Sequence, residues 1–209
     1  MKRLLVLSLR DWRDRRAGEV ERYAHEVFSR IARHAHYVAW VVHGGLAGAK
    51  RTTRSKDEVV DGIHLLCLGH RILYRKMVKT LLTRLRDGKP SKTAFDAVID
   101  CVNGSPLNAG DCTDAPVVPL VFRLSPKVRA VDTPPGPVIA ATEKARCQLI
   151  AAGMPQSHIV FAPPASDCAG LCTDETALRG KLDGTALAQT ESESWDKTAS
   201  LVLATIENL

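Results

Sequence analysis

Aromatic residues make up only 5% of this 209-residue chain, too few to interleave as the stacking platforms on which proteins hold single-stranded nucleic acid. No glycine-rich phosphate motif is complete, and the six cysteines contain no CxxC pair. Cys168 and Cys172 stand four apart without a second pair or a nearby histidine, so zinc is not expected and the thiols read as reduced. No apolar run approaches a membrane span. The stretch around Val38 to Val42 covers a handful of residues and suits a buried strand. Met1 to Leu7 has the basic head and apolar run of a secretion signal, but Arg10, Asp11 and Arg13 interrupt it too early. These absences point to a cytoplasmic chain with no metal or cofactor.

What is present is the composition of an ordinary globular protein, 45% hydrophobic and 25% charged, long enough to bury one sizeable core. The net charge of +6 hides an asymmetry. Residues 1–92 hold 21 Lys and Arg against 9 Asp and Glu, and the remainder holds 8 against 14. A basic half of this kind attracts nucleic acid, anionic lipid or a phosphorylated ligand; the shortage of aromatics makes nucleic acid the weakest of the three.

Periodicity alternates between strand and helix. Arg3 to Ser8 is a short apolar run opening into the charged loop Arg10 to Gly18. From Glu19 to Arg33 the residues Val20, Tyr23, Ala24, Val27, Phe28 and Ile31 recur at three- and four-residue steps on one helical face. Tyr37 to Val42 and Gly62 to Leu68 read as strands, with Gly45 to Asp61 as an exposed loop between them. Ile72 to Arg86 is a helix expected to turn Leu73, Met77, Val78, Leu81, Leu82 and Leu85 toward a sheet. Phe95 to Val102 and Pro116 to Phe122 are uniformly apolar, as strands buried on both faces must be. Val138 to Ala141 is a further strand. Thr142 then caps a helix that stops at Gly153 and Pro155, and His158 to Ala162 closes the series.

This alternation predicts one doubly wound α/β domain over residues 1–164, a parallel sheet with helices on both faces and its ligand crevice at the strand carboxyl ends. Residues 165–192, small and acidic, read as a linker. Thr190-Glu191-Ser192-Glu193 offers a capping box for a terminal helix over 193–209, whose Trp195, Ala199, Val202 and Ile206 form an apolar stripe.

Four stretches resemble the amino-terminal, acceptor-binding domain of GT-B glycosyltransferases of the glycosyltransferase 4 type. Arg16 to Tyr23 looks like that family's glycine-rich turn into a Glu-bearing first helix. Phe95 to Gly104 with Ala115 to Val118 looks like its central strand, loop and next strand. The most specific is Val138 to Arg146, continuing through Leu149 to Pro155 and His158 to Pro164, which is similar to the last strand, helix and crossover of the domain. Ser194 to Ala199 resembles the start of the terminal helix that crosses back onto it. In the family a second Rossmann-like domain, which holds the sugar-nucleotide, lies where residues 165–192 stand here.

The resemblance implies sugar transfer from a nucleotide-sugar, as substrate, to a sugar acceptor, with the donor half supplied by a partner polypeptide or by self-association. The alternative is a non-catalytic accessory or acceptor-binding protein derived from such an enzyme. It also implies peripheral membrane contact through the basic helix from Arg71 to Lys92, although the apolar residues there are needed by the core. The candidate substrate-binding residues are Gly18, Glu19, Asn103, Gly104, Arg123, Thr142 and Glu143; no catalytic residue stands out. Where the family has two adjacent glycines this chain has Gly18-Glu19, which hinders close approach of a phosphate. Where the family commonly has His, it has Arg123, suited to a phosphate or an acidic acceptor. The purely structural roles open to these residues are a turn at Gly18, a shaped loop at Asn103 and Gly104, a solvated Arg123 and a helix cap at Thr142 and Glu143. No Ser/His/Asp set can be drawn from the spacing; His25 and His64 read as structural.

Overall fold

The computed structural model describes residues 1–34, 36–43, 58–68, 73–87, 94–128, 136–164 and 184–209. The Arg3–Leu7 segment forms β1, Glu19–Arg33 α1, Tyr37–His43 β2, Glu58–Val60 β3, Ile63–Leu68 β4, Tyr74–Asp87 α2, Ala97–Gly104 β5, Val117–Leu124 β6, Val138–Ala140 β7, Glu143–Ala151 α3, Ile159–Phe161 β8 and Gly184–Glu207 α4. The eight strands make one sheet in the order β3-β4-β2-β1-β5-β6-β7-β8. Every pairing is parallel except that of β3 with β4. The order reverses at β1, so the crevice of the fold lies beyond the carboxyl ends of β1 and β5. This is an α/β architecture compatible with a Rossmann-like fold.

Alternation along the strands divides the core. Leu4 and Val6 of β1 face one way with Val38, Trp40 and Val42 of β2 and Ile99 of β5, and α1 covers them with Val20, Ala24, Val27, Phe28 and Ile31. Leu5, Leu7, Ala39, Val41 and Val98 face the other way, under Tyr74, Val78 and Leu82 of α2. Further along that second face α3 sets Ala145 and Leu149 on Val102, Val121 and Val138. Strands so enclosed have no polar face, which is why β1, β2 and β6 read as continuous apolar runs. Helix α3 starts as its sequence predicts, with Thr142 Oγ1 accepting from the Ala145 N–H at 3.1 Å, and Gly153 behind it adopts φ +93°.

Helix α4 returns to the α1 face. Ala199, Val202 and Ile206 are buried in the same core as α1, Arg30 Nε donates to Asp196 Oδ1 at 2.8 Å, and Thr198 Oγ1 donates to the Pro163 carbonyl at 2.9 Å.

Three features differ from the sequence expectations. The stretch read as a loop up to Asp61 ends in β3, a three-residue edge strand held by Arg13, whose guanidinium donates to Glu58 at 2.9 Å and to the Asp11 carboxylate at 2.7 Å. In α2 the buried stripe is Tyr74, Val78 and Leu82, while Leu73, expected to face the sheet, is exposed. Tyr74 takes the core position because its hydroxyl reaches the Ser8 and Val41 carbonyls, each at 2.8 Å, a pair of acceptors that leucine cannot use. Finally, α4 begins at Gly184, inside the stretch read as a linker, so the residues 190–193 read as a capping box lie in the helix interior. Residues 165–183, with Cys168 and Cys172, lie outside the described residues.

Candidate functional site

The carboxyl end of β5 is where the sheet departs from regular pairing. Val102 sits opposite Val121, but the next residue, Asn103, sits opposite Arg123, so Phe122 is passed over. A bulge of this kind turns side chains away from their regular alternation. Phe122 packs edge-on against Tyr23 at 5.0 Å between ring centres, and its carbonyl accepts from Thr142 Oγ1 at 3.1 Å. The skipped residue thus ties β6 to the start of α3 and leaves Asn103 and Arg123 side by side at the sheet's end.

These residues border a cleft of about 410 Å³ lined by Glu19, Val20, Asn103, Phe122, Arg123, Thr142 and Lys144. Four of the seven residues predicted from sequence meet there: Glu19 from the first turn of α1, Asn103 from β5, Arg123 from β6 and Thr142 from the α3 cap. The other three do not line it. Gly18 caps α1, and its N–H donates to Glu21 Oε2 at 2.8 Å, so the helix start is already bound to a carboxylate. Gly104 adopts φ +121° at the end of β5, and its carbonyl accepts from the Ser125 N–H at 2.6 Å, which makes it a turn former. Glu143 receives three hydrogen bonds from Arg146, at 2.6, 2.9 and 3.0 Å, which hold its carboxyl below the ordinary range.

The scan against protein-family models and the search of curated proteins found no match. The chemistry of the cleft therefore rests on its own residues. The Thr142 hydroxyl donates to the Phe122 carbonyl and accepts from the Ala145 N–H, so it has no proton left to donate to a ligand. Asn103, Arg123, Lys144 and Glu19 are exposed and keep their polar groups for a ligand. Val20 and Phe122 supply apolar surface.

Val20, Phe122 and Lys144 were not among the residues picked from sequence. Val20 and Phe122 carry an apolar signal that points to the core, and both are largely buried there. Lys144 follows the Thr142 cap by two positions, and nothing in the sequence says which way the first turn of α3 faces. Among the described residues no group of three or more His, Cys, Asp or Glu is arranged to hold a metal ion, and no helix is long and apolar enough to cross a membrane.

A second polar centre lies beneath the loop after β5. Asp100 is buried in that strand, and its Oδ2 accepts from the Leu107 N–H at 2.7 Å. Burial raises its carboxyl from 3.8 to about 6, against the opposing pull of the Leu107 N–H and Arg75. Arg75 also donates to the Pro106 carbonyl. The loop that follows Asn103 and Gly104 is therefore pinned at the Pro106–Leu107 peptide, its carbonyl held by Arg75 and its N–H by Asp100. That neither Asp100 nor Arg75 was picked from sequence follows from their position, since an aspartate inside an apolar run carries no signal for the loop it will hold.

Proposed function

We propose that this chain is a glycosyltransferase-related protein whose cleft binds a sugar acceptor, with sugar transfer from a nucleotide-sugar taking place when a second polypeptide or a second copy supplies the donor-binding lobe. The observation that carries the reading is the make-up of the cleft, in which Asn103, Arg123, Lys144 and Glu19 surround the apolar surface of Val20 and Phe122. A sugar ring needs this combination. Its hydroxyls take donors and acceptors at the rim while its C–H face rests on apolar carbon.

The test is a backbone-amide NMR titration of the whole chain with methyl glycosides, neutral and anionic. Shifts confined to the Asn103, Arg123 and Thr142 region support the reading; a panel that moves none of these amides defeats it.

One observation favours the accessory form of this reading, in which the chain binds an acceptor without transferring sugar. The start of α1 carries Glu19 and has Glu21 on the Gly18 N–H, so the helix terminus that would face a donor phosphate is occupied by carboxylate. Calorimetry with UDP-glucose and GDP-mannose tests it: heat at millimolar ligand indicates a donor site on this chain and defeats the accessory form.

A further inference from the structure

The cleft is electrically lopsided. Arg123 and Lys144 lie on its β6 and α3 side, and Glu19 lies at the α1 end, so the lining holds two cations against one carboxylate. Several arginines among the described residues have acidic partners: Arg13 has Asp11 and Glu58, Arg30 has Glu26 and Asp196, and Arg146 has Glu143. Arg123 and Lys144 have no ion pair among the described residues, and Glu19, though it lines the same cleft, bridges to neither. Glu143, the acid next to Lys144 in sequence, is taken by Arg146.

The α1 side cannot serve as the anion site. There Glu19 would repel an anion, and Glu21 already holds the Gly18 N–H. An anion entering the cleft is directed instead to Arg123, which the bulge at Val102/Asn103 sets beside Asn103.

We propose that the cleft selects sugars bearing an anionic group, a uronate carboxylate or a phosphate ester, held by Arg123 with Lys144. The planar guanidinium offers paired donors to two oxygens of either group, and the ammonium adds a point charge. Asn103, beside it, is left for a ring hydroxyl. This inference rests on the acceptor reading of the same cleft and adds its charge preference.

The experiment is an amide-resolved NMR titration of the full chain with methyl glucoside, methyl glucuronide, glucose 1-phosphate and inorganic phosphate. The charged sugars should bind at least about tenfold more tightly than methyl glucoside, with an advantage that shrinks as salt is raised. Either charged sugar leading supports the inference, and the leader identifies carboxylate or phosphate as the group read. R123Q should abolish the preference, and R86Q, on α2 and paired with Asp87, should leave it unchanged. Because Arg123 is exposed, an unaltered spectrum away from the cleft verifies that R123Q is folded. Equal binding of neutral and charged sugars overturns the charge preference and leaves the acceptor reading standing. Inorganic phosphate binding as tightly as glucose 1-phosphate overturns the role of the sugar ring, and silence from all four ligands removes both readings.

Discussion

The Tyr23 hydroxyl on α1 donates to the Ala162 carbonyl, 139 residues further along the chain, at 2.5 Å. The same ring meets Trp195 of α4 edge-on at 5.4 Å and Phe122 of β6 at 5.0 Å. One side chain thereby joins the first helix, the strand that borders the cleft, the end of the last strand and the returning tail.

Y23F removes that bond and leaves the buried Ala162 carbonyl without its hydroxyl donor. The expected loss is about 1–2 kcal/mol of unfolding free energy. Y23A, which also empties the aromatic contacts, should cost about 3–5 kcal/mol. Urea denaturation of the two variants measures both, and a Y23F variant as stable as the parent would show that the hydroxyl contributes nothing.

The docking of α4 should depend on its apolar stripe far more than on its ion pair. Ile206 is 1% exposed, so I206A should destabilise by about 2–4 kcal/mol. Asp196 has a side chain 64% exposed, and D196A should cost less than about 1 kcal/mol. Thermal melts of both variants give the comparison, and a larger effect at Asp196 would contradict it.

Asp100 should make stability depend on pH. Its carboxyl is raised from 3.8 to about 6 in the folded chain, so between those values the unfolded state releases its proton first and stability falls as pH rises. Two pH units correspond to about 3 kcal/mol, and the contribution is complete above pH 6. D100N keeps an oxygen acceptor for the Leu107 N–H and has no charge to bury. Its stability relative to the parent should rise by about 2–3 kcal/mol from pH 4 to pH 7, read from denaturant midpoints across the range. A flat difference would mean that Asp100 is not desolvated.

Gly104 offers a test of backbone strain free of steric clash. A Cβ placed there meets no atom within 4 Å, yet φ is +121°. G104A should therefore lose about 1–3 kcal/mol through conformation alone. It should also disturb the amide resonances of Asn103 and Arg123, since the turn sets the end of β5. Unchanged stability would show that the turn relaxes readily.

Much of the fold was legible because its signals are local. Helix α1 occupies Glu19–Arg33, the span its apolar spacing predicts, and Thr142 and Gly153 act as the cap and stop their chemistry implies. Strand β3 was hidden because three residues at an edge, one of them Glu58, have too little apolar content to stand out. Leu73 was misplaced by one position, about 100° around a helix, because hydropathy ranks leucine above tyrosine and does not register the carbonyls waiting for the Tyr74 hydroxyl. The early start of α4 was missed because residues 184–193 carry no strong pattern of their own. They continue a helix whose later turns are docked, and extending a formed helix costs far less than starting one.

The candidate site divides in the same way. That Glu19, Asn103, Arg123 and Thr142 stand at strand ends and helix starts follows from the order of elements, which the chain's periodicity alone determines. That Asn103 faces Arg123 and that Lys144 enters the cleft were decided only in the tertiary structure. Strand register and side-chain pairing depend on contacts between residues about twenty or more apart, where packing of the whole sheet outweighs any local preference.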